Sequence, residues 1–198
     1  MNLLYPKFSL RLLPAMLGHA VLGALVAGLY GVVHDQITYT LSTEYFTNLK
    51  FDQFCYADLG WPTRGFVAEI GFLATWWVGF FAAWFIARVT VPAYPGRLAL
   101  RRSLQSFGIV FAVAACGALT GYVMGVLHGP NYGPWQPLAE MLQVRDVRSF
   151  VCVAYIHNAG YLGGLAGLVV ALLVLVWRRR AERAQARQET AEAARGET

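Results

Sequence analysis

The sequence predicts an all-α integral membrane protein, a four-transmembrane-helix bundle with two long loops at one end. Three observations carry this. Of 198 residues, 57% are hydrophobic and only 14% are charged, the balance of a membrane protein rather than a soluble domain. Four apolar stretches, about 12–33, 66–87, 104–127 and 150–177, each match the roughly 20 helical residues that cross a hydrocarbon layer. The basic residues gather at alternate junctions, as they do in a chain threaded back and forth through a bilayer.

The first stretch follows Lys7 and Arg11, as a signal peptide would. Its apolar run exceeds the roughly 7–15 residues of a signal-peptide core, and no small-x-small cleavage site follows, so it reads as a retained helix. Arg88, Arg97, Arg101 and Arg102 lie between the second and third stretches, and Arg178, Arg179, Arg180, Arg183, Arg187 and Arg195 follow the fourth. With Lys7 and Arg11 these make twelve of the sixteen basic residues on one side, against Lys50, Arg64, Arg145 and Arg148 on the other. The positive-inside bias then predicts that both termini are cytoplasmic. Residues 1–177 form one domain, and 178–198 form a basic, then mixed-charge tail that extends as a helix beside anionic headgroups. The net charge of +5 serves anchoring and predicts no nucleic-acid partner.

Two loops then face outward, His34–Arg64 and His128–Ser149. In the first, Ser42-Thr43-Glu44 reads as a helix N-cap. Tyr45, Phe46, Leu49 and Phe54, interleaved with Lys50 and Asp52, suit a short helix lying in the interface. The second loop carries the turn-rich run NYGPWQP. Cys55 and Cys152 both fall on the outer side, where a disulfide would tie the first loop to the bundle. Cys116 falls mid-membrane and reads as a small packing residue. No Walker loop, dinucleotide fingerprint or GxSxG elbow is present.

Small residues recur at four-residue spacing: Gly23, Ala27 and Gly31; Gly117, Gly121 and Gly125; Gly160 and Gly164, beside Gly163 and Gly167. In lipid such ridges mark faces turned toward other helices. Three residues beyond Gly31 is His34, three beyond Gly125 is His128, and three before Gly160 is His157. Residues three apart share a face, so all three histidines are expected to point inward near the outer end. Glu69, the one carboxylate within a predicted span, joins them at similar depth. Three imidazoles and a carboxylate suit zinc, copper(II) or iron(II). Asp35 and Glu44 would accept from ligand N–H groups, or Glu44 would itself ligate.

Two other readings fit the same residues: an unmetallated polar cluster, with Glu69 paired to Arg64, and haem b held between two of the histidines. His19, on nearly the same face as His34, reads as a histidine hydrogen-bonded across helices, or as part of a proton path.

The run HDQITYTLSTEYFTNLKFDQF resembles a family of uncharacterised bacterial four-helix membrane proteins with an HDQ-x-T-Y…S-x-E-Y-F-T…K-F-x-Q-F pattern after their first helix. The resemblance brings no activity; it implies that His34, Asp35, Gln36, Glu44 and Tyr45 act as a unit.

The function expected on these grounds is membrane-embedded metal binding at a periplasmic His/Glu site, in a metal-dependent oxidoreductase or hydrolase. One alternative is a non-catalytic accessory or assembly subunit of a larger membrane complex, or a homo-oligomer, which the small-residue faces suit. The other is a small transporter or proton or ion relay. Beyond His19, Thr75 and Thr120, the spans supply little polar lining for such a path.

Overall fold

The computed structural model describes residues 9–129 and 135–196. Lys7 and the 131–134 part of the NYGPWQP run lie outside them. The described residues form helices and no strands. A 3-10 turn (Leu10–Leu12) leads into α1 (Leu13–Leu41), followed by α2 (Thr43–Tyr45), a π-helical turn (Phe46–Lys50), α3 (Phe51–Gln53) and a 3-10 turn (Cys55–Ala57). Then come α4 (Thr63–Thr90), α5 (Gly96–His128), α6 (Gln136–Met141) and α7 (Val147–Gly196). Among the described residues, α1, α4, α5 and α7 are long and apolar enough to cross a membrane.

The surface of α1 shows what such a helix is built for. Leu17, Val21, Leu25, Leu29, Val33 and Ile37, at steps of four, are exposed on one side, while Met16, Ala20, Gly23, Ala27 and Gly31 are buried on the other. A continuous exposed apolar stripe is costly in water and ordinary in lipid.

The buried stripe brings α1 against α4. A Cβ on Gly31 would land on the Gly71 carbonyl and the Thr75 hydroxyl, so only glycine permits this crossing. There the Thr75 hydroxyl donates to the Ala27 carbonyl of α1 over 2.8 Å. The α5–α7 pair is built alike, with Gly121 against the Tyr155 carbonyl and Gly163 and Gly167 against Val110, Val113 and Ala114. The glycine ridges therefore zip the helices into two pairs rather than converging on one point.

Between the pairs, contact concentrates at the ends. At the basic end, Ala83, Ile86, Val89, Phe107 and Leu175 form a core. Nearby, Glu182 accepts from Arg102 at 2.7 Å and from the Tyr94 hydroxyl at 2.8 Å, docking α7 where it leaves the bundle. At the loop end Tyr45, Phe46, Val67, Phe150 and Val153 form a second core. A cavity of about 250 Å³ remains between them.

The expectation that the first helix ends near Val33 is corrected: α1 runs eight residues further, so His34 and Asp35 lie inside it. Nothing in HDQITYTL breaks a helix, and the Thr38 and Thr40 hydroxyls donate back to the His34 and Gln36 carbonyls at 3.1 and 3.0 Å. The break comes at Ser42, whose extended backbone ends α1 and whose Oγ accepts from the Tyr45 N–H at 3.3 Å, as the N-cap reading predicts.

The two loops are tied together. Glu44 accepts from the Arg145 and Asp146 N–H groups at 3.0 and 2.8 Å, and Asn48 donates to the Leu142 carbonyl at 3.2 Å. Replacing Glu44 with alanine is expected to cost about 1–2 kcal/mol, the low end for charge-assisted bonds because the pair is exposed. Faster hydrogen exchange at the 145 and 146 amides, with little change in the α1–α4 amides, would verify it.

Asp146 caps α7 by accepting from the Ser149 N–H at 3.1 Å. Hydrogen bonds from the Ser149 side chain and backbone hold its carboxyl below the usual carboxylate range, against a small opposing effect of burial. A depressed folded-state pKa means its contribution is full above the unfolded value near 3.9 and is lost as pH falls through the folded one. Thermal melts in detergent at pH 7 and pH 3 should show a smaller acid-induced drop in Asp146→Asn than in the wild type.

Candidate metal centre

His157 sits on α7, three turns in, with its side chain 5% exposed. Its Nδ1 lies 3.0 Å from the Val153 carbonyl one turn back. A carbonyl only accepts, so Nδ1 carries a proton and the other ring nitrogen decides the chemistry. That nitrogen, Nε2, lies 3.3 Å from Asp35 Oδ1, and the Asp35 side chain is 6% exposed. Neutral imidazole has one N–H and it is already used. The space between Nε2 and Oδ1 therefore calls for a proton, giving a buried ion pair or its neutral equivalent, or for a metal ion that takes a lone pair from each. Two bare acceptors facing each other at this distance are not stable.

His34, next to Asp35 in α1, meets the His157 ring edge-on, with centroids 5.0 Å apart at 80°. The His34 ring also stacks on Tyr30 at 5.7 Å. One ligand atom from each of His34, Asp35 and His157 lies within 4.8 Å of the others, and this buried group could hold a metal ion. Among the described residues no other group of three or more such side chains comes as close.

The loop end roofs the group. The Tyr45 ring stacks on His157 at 5.0 Å and 26°, with Phe46 and Phe150 packed beside it. Lys50 reaches over the same ring, its Nζ 5.8 Å from the Tyr45 centroid. Burial lowers the Lys50 pKa while the Asp35 charge pulls it back up. Burial raises that of the Tyr45 phenol, with Tyr161 and Asp35 adding to it. Both follow from shielding beneath aromatic loops.

The expected ligand set is thus brought together only in part. His34 and His157 meet, and Asp35, expected as a supporting acceptor, faces His157 directly. His128 is exposed at the end of α5, its ring stacked on Tyr155 at 6.0 Å, and is not one of the three. The reason lies in its ridge: Gly125 packs against Cys152 of α7, so His128 rides over the α5–α7 contact rather than the seam between the pairs. Glu69 is not one of them either. Its Oε2 is enclosed without a hydrogen-bond partner among the described residues. Arg64 turns instead to Gln36 Oε1 at 3.0 Å and to the Tyr39 ring at 5.2 Å. Both Glu44 oxygens are engaged by the 145–146 amides, away from the imidazoles.

The remaining expectations are also corrected. Cys55 is an exposed free thiol in its 3-10 turn and Cys152 a buried free thiol facing the Tyr122 carbonyl, so no disulfide joins them. Cys116 is exposed on the outer face of α5 rather than packed. His19 Nδ1 lies 2.8 Å from the carbonyl of Ala15 on its own helix, not across helices.

Sequence reasoning missed two of the three tyrosines that wall the group, Tyr30 and Tyr161. Tyr30 stands four residues before His34, and Tyr161 four after His157, so each histidine has a phenol one turn deeper on its own face. That spacing was available in the sequence. The stacking of Tyr45 on His157 was not, because it depends on how the loop folds back. The chain matches no family model, no curated protein and no solved structure.

Proposed function

We propose that this chain is a multi-pass protein of a bacterial inner membrane that binds a divalent metal, zinc, copper or iron, at the periplasmic end of the bundle. His34, Asp35 and His157 are its protein ligands. The observation that carries the reading is the 3.3 Å approach of Asp35 Oδ1 to a His157 nitrogen whose partner nitrogen is already committed. Two ligand atoms each about 2.0–2.1 Å from a tetrahedral ion are themselves about 3.3 Å apart. A buried carboxylate in a membrane segment calls for a compensating charge, and a metal supplies it. Two imidazoles and one carboxylate leave coordination positions open for water, oxygen or substrate, the arrangement of metal-dependent oxidoreductases and hydrolases rather than of closed structural sites.

Metal analysis of the purified protein, reconstituted with each ion in turn, tests the proposal. About one ion per chain is expected, lost in His157→Ala and in Asp35→Asn and retained in His128→Ala and Glu69→Gln. A wild-type protein that stays metal-free would overturn it, as would loss confined to His128→Ala. A Soret band in the absorption spectrum would replace the ion with haem b.

A further inference from the structure

Below the His34–Asp35–His157 group the seam between the helix pairs stays open. The cavity follows α1 from Asp35 to Gly23, twelve residues or about 18 Å of helix, and α7 from His157 to Leu168. Its polar groups cluster at the loop end: the three site residues and the Tyr30 and Tyr161 phenols. Deeper, apart from the Thr75 hydroxyl, which is already bonded, and the indole N–H of Trp77, the walls are apolar, with Phe85, Phe107, Phe111 and Leu168 among them. No lysine or arginine is among the described residues that line it.

The cavity opens sideways. Trp77 and Phe81 of α4 and Tyr161 and Leu165 of α7 line it, yet remain 49%, 55%, 46% and 63% exposed, on surfaces that would face hydrocarbon. Gly160 and Gly164 keep its α7 wall low: a Cβ on Gly164 would meet nothing within 4 Å, and one on Gly160 would meet only Ala118 at 3.7 Å.

From this we infer that the cavity binds a neutral, membrane-borne amphiphile with a flat polar ring on an isoprenoid chain, a prenylated quinone or its quinol, entering from the bilayer. The ring lies beside His34 and Tyr161, and the chain runs past Gly164 toward Phe107. Each feature of the ligand answers a feature of the wall. The long apolar stem of the cavity calls for a chain. Donors and acceptors gathered mainly at one end call for a small head that hydrogen-bonds. The Tyr30 ring, 5.1 Å from Phe111 and stacked on His34, offers aromatic faces to a planar head. Neutrality follows from charge: in the metal-free protein an anionic head would face the buried Asp35 carboxylate, and no lysine or arginine is among the described lining residues. Fatty acids and phospholipids are disfavoured on that ground, and a polyprenol on the aromatic one. The inference rests on the cavity and not on the metal.

The full chain, reconstituted in nanodiscs of neutral lipid, is titrated with a benzoquinone carrying two isoprene units, and quenching of tryptophan fluorescence is followed. Saturable quenching is expected, reduced in Trp77→Phe, competed by a second prenylated quinone, and not competed by dodecanoate or farnesol. Gly164→Leu fills the stem without meeting protein atoms at its Cβ and should weaken binding about tenfold or more while leaving metal content unchanged. Gly160→Val carries the same test if that variant fails to fold. Non-saturable quenching, equal binding in both glycine variants, or equal competition by farnesol or dodecanoate would overturn the inference. Failure of metal binding alone would leave these outcomes intact.

Discussion

Leucine in place of Gly31 is expected to destabilise the protein by more than about 3 kcal/mol, because the new side chain meets backbone rather than a side chain that can rotate away. The Gly71 carbonyl and the Thr75 hydroxyl occupy the place of its Cβ. Relief requires α1 and α4 to separate, which breaks the Thr75–Ala27 bond as well. In a membrane, where helix pairs are held by close packing rather than by hydrophobic burial, little else compensates. Thermal unfolding in detergent, with Gly164→Ala as a control at an open position, measures the effect. The control should stay within about 0.5 kcal/mol of the wild type. A Gly31→Leu protein as stable as the control would mean that α1 and α4 do not cross there.

Asp35→Ala in metal-free protein is expected to cost about 3–5 kcal/mol, since it leaves His157 buried with an uncompensated charge or an unpartnered nitrogen. Removing both partners should cost much less than the sum. The apolar double variant Asp35→Leu, His157→Leu keeps volume and deletes both polar groups, so it should recover most of the loss. Chemical denaturation of Asp35→Leu, His157→Leu and the double variant supplies the cycle. Additive losses would show that the 3.3 Å contact carries no coupling.

How far the sequence could be read divides along physical lines. Helix number and approximate position were legible, because apolar stretches of membrane-spanning length leave few alternatives. The ends were less so. Histidine and aspartate at 34–35 look like an exit into water, yet α1 carries them onward because its threonines satisfy their own polarity on backbone carbonyls. The ridges correctly marked contact faces, but a small-residue ridge specifies one partner helix and says nothing of a common centre. That is why His34 and His157, set beside the seam, come together while His128, set over the α5–α7 zip, does not. The place of Asp35 beside His34 suggests a supporting acceptor, yet one residue is only 100° of helix, and both reach the seam. The engagement of Glu44 with a loop 101 residues away depends on loop closure, which no local pattern encodes.

The central claim is that one imidazole from α7, one from α1 and the carboxylate beside it form a single coordination site. X-ray absorption at the edge of the bound metal, in wild type and single variants, tests it most directly. Nitrogen and oxygen neighbours at about 2.0–2.1 Å are predicted, with multiple scattering from two imidazoles that falls to one in His34→Ala. A sulfur shell, three imidazoles, or a spectrum indifferent to His157→Ala would contradict it.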